Sequence, residues 1–211
     1  DAAGGGEVSI VSMAPNGEVS GMRTALAMGA AKGVLVSDPA LAGSDALTTA
    51  KVLAAATQKL GGADLIIAGT ESSDGYTGTV PEQIAAILGL PSITFAKSVE
   101  IADGTVKVQR QTEAGYDEVE SPLPAVVSVT AGVVEPRYPS FKGIMAAKSK
   151  PVDEKSAADL GFGADQVGWA GSGQEIIDVA NAPKREAGEI IVDDGEGFAK
   201  IVAYLEKMKL I

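Results

Sequence analysis

The part of the sequence best suited to hold an anion is residues 69–78, which read Gly-Thr-Glu-Ser-Ser-Asp-Gly-Tyr-Thr-Gly. Glycines and hydroxyl side chains between a strand end and a helix start bring several N–H and O–H donors together, where the helix dipole is positive. Such a loop can hold a phosphate group, because open α/β sheets bind ligands at the carboxyl ends of their strands. The pattern alone has low specificity, since many loops of this composition are only turns and helix caps.

Catalytic side chains of the usual kinds are missing from the composition. The chain has no histidine and no cysteine, which removes the commonest base, thiol nucleophiles, disulfides and nearly all zinc or iron–sulfur ligand sets. Acidic pairs such as Glu71 and Asp74 are more simply explained as solvated surface groups. We therefore predict no catalytic acid, base or nucleophile. A bound cofactor would do the chemistry while the protein supplies position and electrostatics, as in an electron carrier.

A second notable segment spans residues 135–150, Glu-Pro-Arg-Tyr-Pro-Ser-Phe-Lys-Gly-Ile-Met-Ala-Ala-Lys-Ser-Lys. Two prolines and a glycine oppose a regular helix or strand across its first half. It still carries large apolar side chains with lysines around them, in a chain with only four Phe, four Tyr and one Trp. We predict a loop that docks onto a partner. Alternatively the apolar groups fold back onto the core, and composition alone favours that alternative. The predicted docking side chains are Phe141, Lys142, Ile144, Met145 and Lys148.

Strand and helix patterns alternate up to about residue 130. Helices are expected to start at Ser20, at Ser44 or Asp45, and near Pro81. The continuous apolar run at 64–69 predicts a strand buried on both faces. This alternation predicts an α/β fold with right-handed βαβ units, a mostly parallel sheet and helices on both faces. The predicted strands are residues 8–13, 33–36, 64–69 and 92–95.

From Val99 the pattern changes to short antiparallel strands. Residues 99–101 and 106–108, joined by Ala102-Asp103-Gly104, predict a hairpin, and residues 113–119 continue it as a meander at the sheet edge.

The last third of the chain has a different character. Residues 151–195 show weak periodicity, which predicts an extended arm or, alternatively, a disordered linker. A clear amphipathic helix follows at Gly197–Lys209. We therefore divide the chain into an α/β nucleotide-binding domain at 1–150, which includes the docking loop, and an arm with a terminal helix at 151–211.

Overall composition narrows the possible partners. A formal net charge of −11 argues against nucleic acid, because phosphate backbones need a basic surface. No apolar run approaches the roughly 20 residues that cross a bilayer, so we do not expect an integral membrane protein. The first residues show no signal-peptide pattern. We expect a cytoplasmic protein in a bacterium, or a mitochondrial matrix protein in a eukaryote.

Residues 124–128, Pro-Ala-Val-Val-Ser, together with 135–148 strongly resemble the β subunit of electron transfer flavoproteins, especially actinobacterial-type members. The resemblance extends from Glu7 to Ile211. It implies an adenine-nucleotide α-hydrolase-like fold and a C-terminal arm that wraps an α subunit. It also implies that residues 135–150 contain the loop that anchors partner dehydrogenases, with Phe141 as the apolar anchor. Family members begin with an earlier strand and helix, so about 50 residues of the family pattern are expected to be missing.

The same resemblance gives residues 69–78 a ligand. Thr77 and Gly78 match the pair that holds the phosphate of AMP, a structural ligand, in conventional family members. Gly75 and Tyr76 stand where many relatives have Asn-Gln, which removes two amide donors. The predicted cofactor contacts are Asp74, Gly75, Tyr76, Thr77, Gly78 and Thr79.

The resemblance also implies a redox FAD, which the α subunit mainly holds and the β subunit walls on one side. A family glutamate helps orient the flavin domain. Gln111 aligns with it, so that charge contact is lost or replaced here.

The implied function is an electron carrier, not an enzyme: the β subunit of a heterodimeric electron transfer flavoprotein. It would take electrons from acyl-CoA-type dehydrogenases of fatty acid β-oxidation and pass them to a quinone-linked oxidoreductase. One alternative is a bifurcating-type subunit that binds a second FAD and oxidises NADH. Another is a universal-stress-like adenine nucleotide-binding module, which would lack a docking loop and an arm.

Overall fold

The computed structural model describes residues 5–185, 188, 190–193 and 195–211, which fall into two units, residues 1–175 and 176–211. The strands are β1 (Ser9–Ala14), β2 (Lys32–Ser37), β3 (Leu65–Gly69), β4 (Ser92–Ala102), β5 (Thr105–Thr112), β6 (Gly115–Pro122), β7 (Ala125–Val129) and β8 (Val152–Lys155). The helices are α1 (Val19–Ala27), α2 (Ala46–Lys59), α3 (Val80–Leu88), α4 (Phe141–Ala147), α5 (Gly168–Gly171) and α6 (Gly197–Lys207). None of the helices in this described part is long and apolar enough to cross a membrane.

The strands form two sheets instead of the single sheet predicted. One is fully parallel, in the order β1-β2-β8, and the other is mixed, in the order β3-β7-β4-β5-β6. In the mixed sheet β3, β7 and the start of β4 run parallel, and β4, β5 and β6 pair antiparallel. The α/β class is confirmed. β1 and β3 are edge strands of their sheets, and each has one side that pairs with no strand among the described residues.

Helices cover both faces of the parallel sheet, as predicted. Successive residues of a strand point to opposite faces. Ile10 packs with α1 and α4 in a cluster around Leu26 and Ala147. Val11, on the other face, belongs with α2 in the cluster that contains Val52.

Helix α2 also contacts the mixed sheet, because its apolar positions serve two clusters. Val52 packs with Val34 and Val36 of β2, whereas Ala54 packs with Ile84 of α3 and Ile66 of β3. One helix therefore holds the two sheets side by side.

The start of α2 follows one of the two predicted caps. Asp45 is the N-cap, and its Oδ1 accepts a hydrogen bond from the Thr48 N–H at 2.8 Å. The prediction that Ser20 caps α1 is wrong, because α1 begins at Val19 after Glu18. The Ser20 hydroxyl instead donates to the Glu18 carboxylate at 3.3 Å.

The prediction that β3 is buried on both faces is also wrong. Its neighbour β7 is buried from Ala125 to Ser128, but Ile67 of β3 is 58% exposed. The reason is position, since β7 lies between two strands and β3 lies at the sheet edge.

The antiparallel hairpin and meander are confirmed. Val99 of β4, Val108 of β5 and Val119 of β6 lie in register and belong to one apolar cluster. β4 joins the predicted strand at 92–95 to the first hairpin strand. Its path is irregular at Phe95, which has a φ of 55°.

The first unit continues past the boundary predicted at residue 150. β8 pairs in parallel with β2, and Leu160 and Val167 are buried with Val34 and Val36. The segment after α5 is held by Asp45, whose Oδ2 accepts from the Gly173 N–H at 2.8 Å. Burial alone would raise the pKa of Asp45, but the hydrogen bonds from Thr48 and Gly173 hold it below the usual value. Whether residues 151–211 wrap a second subunit stays a prediction.

Candidate functional site

The glycine- and hydroxyl-rich loop lies at the carboxyl ends of parallel strands. β3 and β7 end at the same level, where Gly69 pairs with Val129. The Thr70 hydroxyl donates to the Val129 carbonyl at 3.1 Å and ties the first loop residue to the neighbouring strand. Residues 70–79 then lead directly into α3, which begins at Val80 and has a proline in its first turn. The loop has the strand–loop–helix setting of an anion site.

The first half of this loop satisfies its own hydrogen bonds. The Gly75 N–H donates to Asp74 Oδ1 at 2.8 Å and to Ser72 Oγ at 3.2 Å, and the Tyr76 N–H donates to the Ser72 carbonyl. The Ser72 hydroxyl, followed by the N–H groups of Asp74 and Gly75, lowers the pKa of Asp74. Asp74 and Gly75 are therefore committed within the loop, and an ionised Asp74 would repel a phosphate.

The second half of the loop leaves its donors open. No hydrogen bond among the described residues engages the N–H groups of Thr77, Gly78 or Thr79. Gly78 adopts φ 63°, a left-handed conformation that suits glycine. The Thr79 hydroxyl does not cap α3, because it accepts from Gln83 Nε2 at 3.2 Å. The loop thus presents three unengaged amides directly before α3.

Two observations bear on whether a nucleotide fits here. A Cβ on Gly78 would lie 3.5 Å from Glu71 Oε2, so this exposed carboxylate lies beside Gly78 and would have to rotate away from a phosphate bound there. On the first turn of α3, Glu82 Oε2 and Gln83 Oε1 are buried without a hydrogen-bond partner. Buried acceptors need donors, but these two are closed to a ligand unless the first turn of α3 rearranges. The open amides fit a phosphate once Glu71 has moved.

The predicted docking segment contains a short helix. The two prolines do bar regular structure up to Pro139, but the glycine does not, because Gly143 lies inside α4. This helix begins at Phe141 after Ser140, whose Oγ accepts from the Gly143 N–H at 3.0 Å. The sequence signal for the start of α4 is Ser140, a residue type that is favoured at N-caps. The prediction of a loop over residues 135–150 ignored this signal.

One face of α4 is packed closely onto α1. Ala147 is buried with Leu26 and Ala30. A Cβ on Gly143 would collide with the backbone carbonyl of Ala27, so this approach requires glycine.

Two basic side chains fix the end of the segment. Arg23 Nη1 donates to the carbonyls of Ala147 and Lys150 at 2.7 and 2.5 Å. In return Lys150 Nζ donates to the carbonyls of Leu26 and Ala30 at 2.8 and 2.6 Å. Each cation thus satisfies carbonyls at a helix end, where positive charge is favoured.

The opposite face of α4 points to solvent. Phe141 is 80% exposed and Met145 51%, and Ile144 is also exposed. With Lys148 they follow the i, i+3, i+4, i+7 spacing of one helix face. Neither Lys142 nor Lys148 forms an ion pair with a described residue. The alternative that these apolar side chains return to the core is therefore wrong, because Gly143 and Ala147 occupy the inner face.

Sequence patterns did not single out Phe95, Glu82 or Gln83. An aromatic residue in a strand gives no signal of a left-handed backbone, and orphaned acceptors appear only once burial is known.

Gln111, the predicted substitute for a family acid, lies at the end of β5 opposite Tyr116 of β6, and its side chain is exposed.

Comparison with known proteins gives a consistent result. A family model described as the electron transfer flavoprotein domain matches residues 1–160. The chain is 42% identical over 206 residues to electron transfer flavoprotein subunit beta of Mycobacterium tuberculosis, covering 98% of this chain and 77% of that protein.

More distant relatives agree. Identity is 33% over 209 residues to the Megasphaera elsdenii subunit beta, covering 96% of this chain and 77% of that protein. It is 34% over 187 residues to the caffeyl-CoA reductase-Etf complex subunit CarD of Acetobacterium woodii, covering 89% and 71%.

Proposed function

The chain belongs to the electron transfer flavoprotein family, as a β subunit, and on that basis we propose that it pairs with an α subunit and binds AMP. The observation that carries the nucleotide proposal is the run of unengaged amides at Thr77, Gly78 and Thr79, directly before the uncapped start of α3. Two or three convergent N–H donors at a helix start are suited to a phosphate. The Thr77 hydroxyl would add a fourth donor.

Within the predicted set of six residues, roles divide in two. Thr77, Gly78 and Thr79 would contact the phosphate. Asp74, Gly75 and Tyr76 would shape the loop, because the N–H groups of Gly75 and Tyr76 are used internally.

Electron transfer itself would depend on FAD held mainly by the α subunit, which supplies the redox chemistry when bound. The residues of this chain would enclose it and bring the donor protein close. We propose that the exposed face of α4, with Phe141 at its start, docks acyl-CoA-type dehydrogenases, and that a quinone-linked oxidoreductase receives the electrons. Support comes from the rigid attachment of α4 to α1 and the outward position of its apolar side chains.

A bifurcating-type subunit with a second FAD is the other candidate, and one observation favours it. A relative at 34% identity is a subunit of a caffeyl-CoA reductase-Etf complex. The threonine at position 77 favours AMP over a second FAD, because the resemblance associates threonine there with the conventional, AMP-binding form of the family. A universal-stress-like module has no support from the family match.

The test is to purify the chain together with the α subunit and to identify the released ligands by mass spectrometry. One FAD and one AMP per heterodimer is the expected result. Two FAD and no AMP would establish the bifurcating form, and no nucleotide besides one FAD would refute the site at residues 70–79.

A further inference from the structure

Phe95 holds a backbone conformation that is unfavourable for its residue type. Its φ is 55°, in the left-handed region, where the Cβ of an L-residue crowds the following carbonyl oxygen. Asn, Asp and Gly account for most residues in this region, and a bulky aromatic one is an outlier. Such outliers persist only where the surroundings enforce them, and they cluster at functional sites.

Buried partners enforce the conformation here. The Phe95 N–H donates to Oγ of Ser128 at 3.1 Å, and Ser128 is buried in the middle of the sheet. The next carbonyl, that of Ala96, accepts from both the N–H and the hydroxyl of Thr130, at 3.0 and 3.3 Å. The register shifts beside this point on both sides of β4, between Ile93 and Ala96 toward β7 and between Ala96 and Ser98 toward β5.

The result of this conformation is an exposed ring. Ile93 and Ala96 on either side are buried, but Phe95 is 41% exposed. The irregularity therefore does not serve to bury this apolar side chain.

The ring also lies at the functional edge of the sheet. Ala96 pairs with Val129, and Val129 pairs with Gly69, which ends β3 directly before the loop at residues 70–79. Neighbouring strands are about 4.8 Å apart, so the Phe95 backbone is about 10 Å from that of Gly69, with β7 between them. Carboxyl ends of parallel strands are where open α/β sheets bind ligands.

We propose that Phe95 is a stacking contact for the planar heteroaromatic ring of a nucleotide cofactor, either adenine or isoalloxazine. This inference rests on the proposed nucleotide and flavin binding. A phenyl ring offers no hydrogen bond, so its contribution is offset stacking or an edge-to-face contact with a flat ring. The fixed backbone orients it before the ligand arrives, which lowers the ordering cost of binding.

The competing explanation is purely structural: Phe95 marks the point where β4 leaves the parallel strands and enters the hairpin. The two explanations differ for Phe95→Gly. Glycine adopts φ 55° without steric cost, so both expect a folded protein with an unfolding midpoint equal to or above that of the wild type. Only the proposal expects that variant to lose a ligand contact.

The experiment uses the purified heterodimer with Phe95→Gly, Phe95→Leu and Phe95→Tyr, and Trp169→Leu as the control at another exposed aromatic residue. AMP affinity is measured on nucleotide-stripped protein by titration with AMP, and the flavin environment by the absorption and fluorescence of bound FAD.

Stacking on adenine predicts about 2- to 10-fold weaker AMP binding in the Gly and Leu variants, with the flavin spectrum unchanged. Stacking on isoalloxazine predicts a shifted flavin absorption band and brighter flavin fluorescence, with AMP affinity unchanged. Phe95→Tyr and Trp169→Leu should match the wild type in both arms.

Wild-type values for both readouts in Phe95→Gly and Phe95→Leu would overturn the proposal. So would failure of both variants to fold, since the ring would then be structural. The proposed function is tested separately by the ligand content of the wild-type heterodimer, which does not depend on Phe95.

Discussion

The loop at residues 70–79, which we propose binds a phosphate, and the helix α4, which we propose docks a partner protein, expose different parts of the chain. α4 fixes its backbone against α1 through Gly143, Arg23 and Lys150, and exposes side chains. The loop exposes backbone amides at Thr77 to Thr79 and uses its side chains mostly for internal hydrogen bonds. A protein partner offers apolar area, which side chains match, whereas a phosphate needs donors, which the backbone supplies in fixed directions. Substitutions should therefore act through side-chain size in α4 and through hydrogen bonding in the loop.

The largest effect is expected from Phe141→Ala, which tests whether α4 binds through one dominant side chain. Interfaces of this kind lose at least about 2 kcal/mol when a central aromatic residue is truncated. Dehydrogenase-driven flavin reduction should slow markedly, while flavin content, AMP content and heterodimer assembly stay intact. Reduction by dithionite is the control, because it bypasses docking. Equal rates for the two proteins, or loss of the α subunit, would place Phe141 in the structure and not in recognition.

Thr77→Val tests the loop in the same way, by removing a hydroxyl donor and keeping the shape. A hydrogen bond to a charged phosphate is worth about 1.5–3 kcal/mol, so AMP should dissociate more readily while the unfolding temperature of AMP-free protein is unchanged. The measurement is a titration with AMP, and Thr105→Val on β5 is the matched control. If the control and Thr77→Val retained AMP equally, the phosphate would not contact Thr77.

Gly143→Ala tests whether α4 must be fixed against α1 in order to present its side chains, because the substitution should weaken the packing between the two helices. The added Cβ meets the Ala27 carbonyl, and overpacking of this kind costs about 1–3 kcal/mol. Both thermal stability and dehydrogenase docking should fall, although Phe141 is untouched. Gly21→Ala in α1 is the matched control, because nothing lies within 4 Å of its Cβ position. That variant should be slightly more stable, as alanine is favoured over glycine in a helix. The same gain in Gly143→Ala would show that α4 does not rest on α1.

The smallest effect concerns Asp45, which connects α2 to the segment after α5. Its pKa is below the ordinary value in the folded protein, so its contribution to stability is present above the unfolded pKa, near 3.9. That contribution is lost as the pH falls further through the folded pKa. Asparagine caps a helix as well as aspartate does but lacks the charge, which is worth about 0.3–1 kcal/mol at a helix start. Asp45→Asn should lower stability at pH 7 by that amount, and the difference from wild type should shrink below about pH 4. Urea unfolding at pH 7 and pH 3.5 measures both. A difference that does not change with pH would mean that the charge of Asp45 is irrelevant.

Sequence patterns predicted the elements that carry their own periodicity. Strands β1 to β6 and the helices α2 and α3 were found because apolar spacing and caps such as Asp45 are local signals. β8 was missed, because Val-Asp-Glu-Lys has one apolar residue and its pairing with β2 depends on a distant strand. The division into two sheets was missed for the same reason, since pairing at an edge cannot be read from the strand itself.

The candidate site at residues 69–78 could be located from the sequence because its residue types are themselves a signal. The glycines and hydroxyls of residues 69–78 mark a loop that suits an anion, and the resemblance selected Thr77 and Gly78. Which amides stay open depends on how Ser72 and Asp74 turn inward, and this required the structure. Phe95 was not found, because its significance lies in a backbone angle and not in its residue type.

The uncharged edges of β1 and β3 have a consequence for how the protein must be made. The outer strand β6 carries Asp117, Glu118 and Glu120, which discourage pairing with another chain, whereas β1 and β3 contain no charged residue. An uncharged edge with free N–H and C=O groups is a template for any extended peptide that reaches it. At high concentration, freshly synthesised copies of this chain would pair with one another through these edges. Slow synthesis should therefore raise the soluble fraction in recombinant expression.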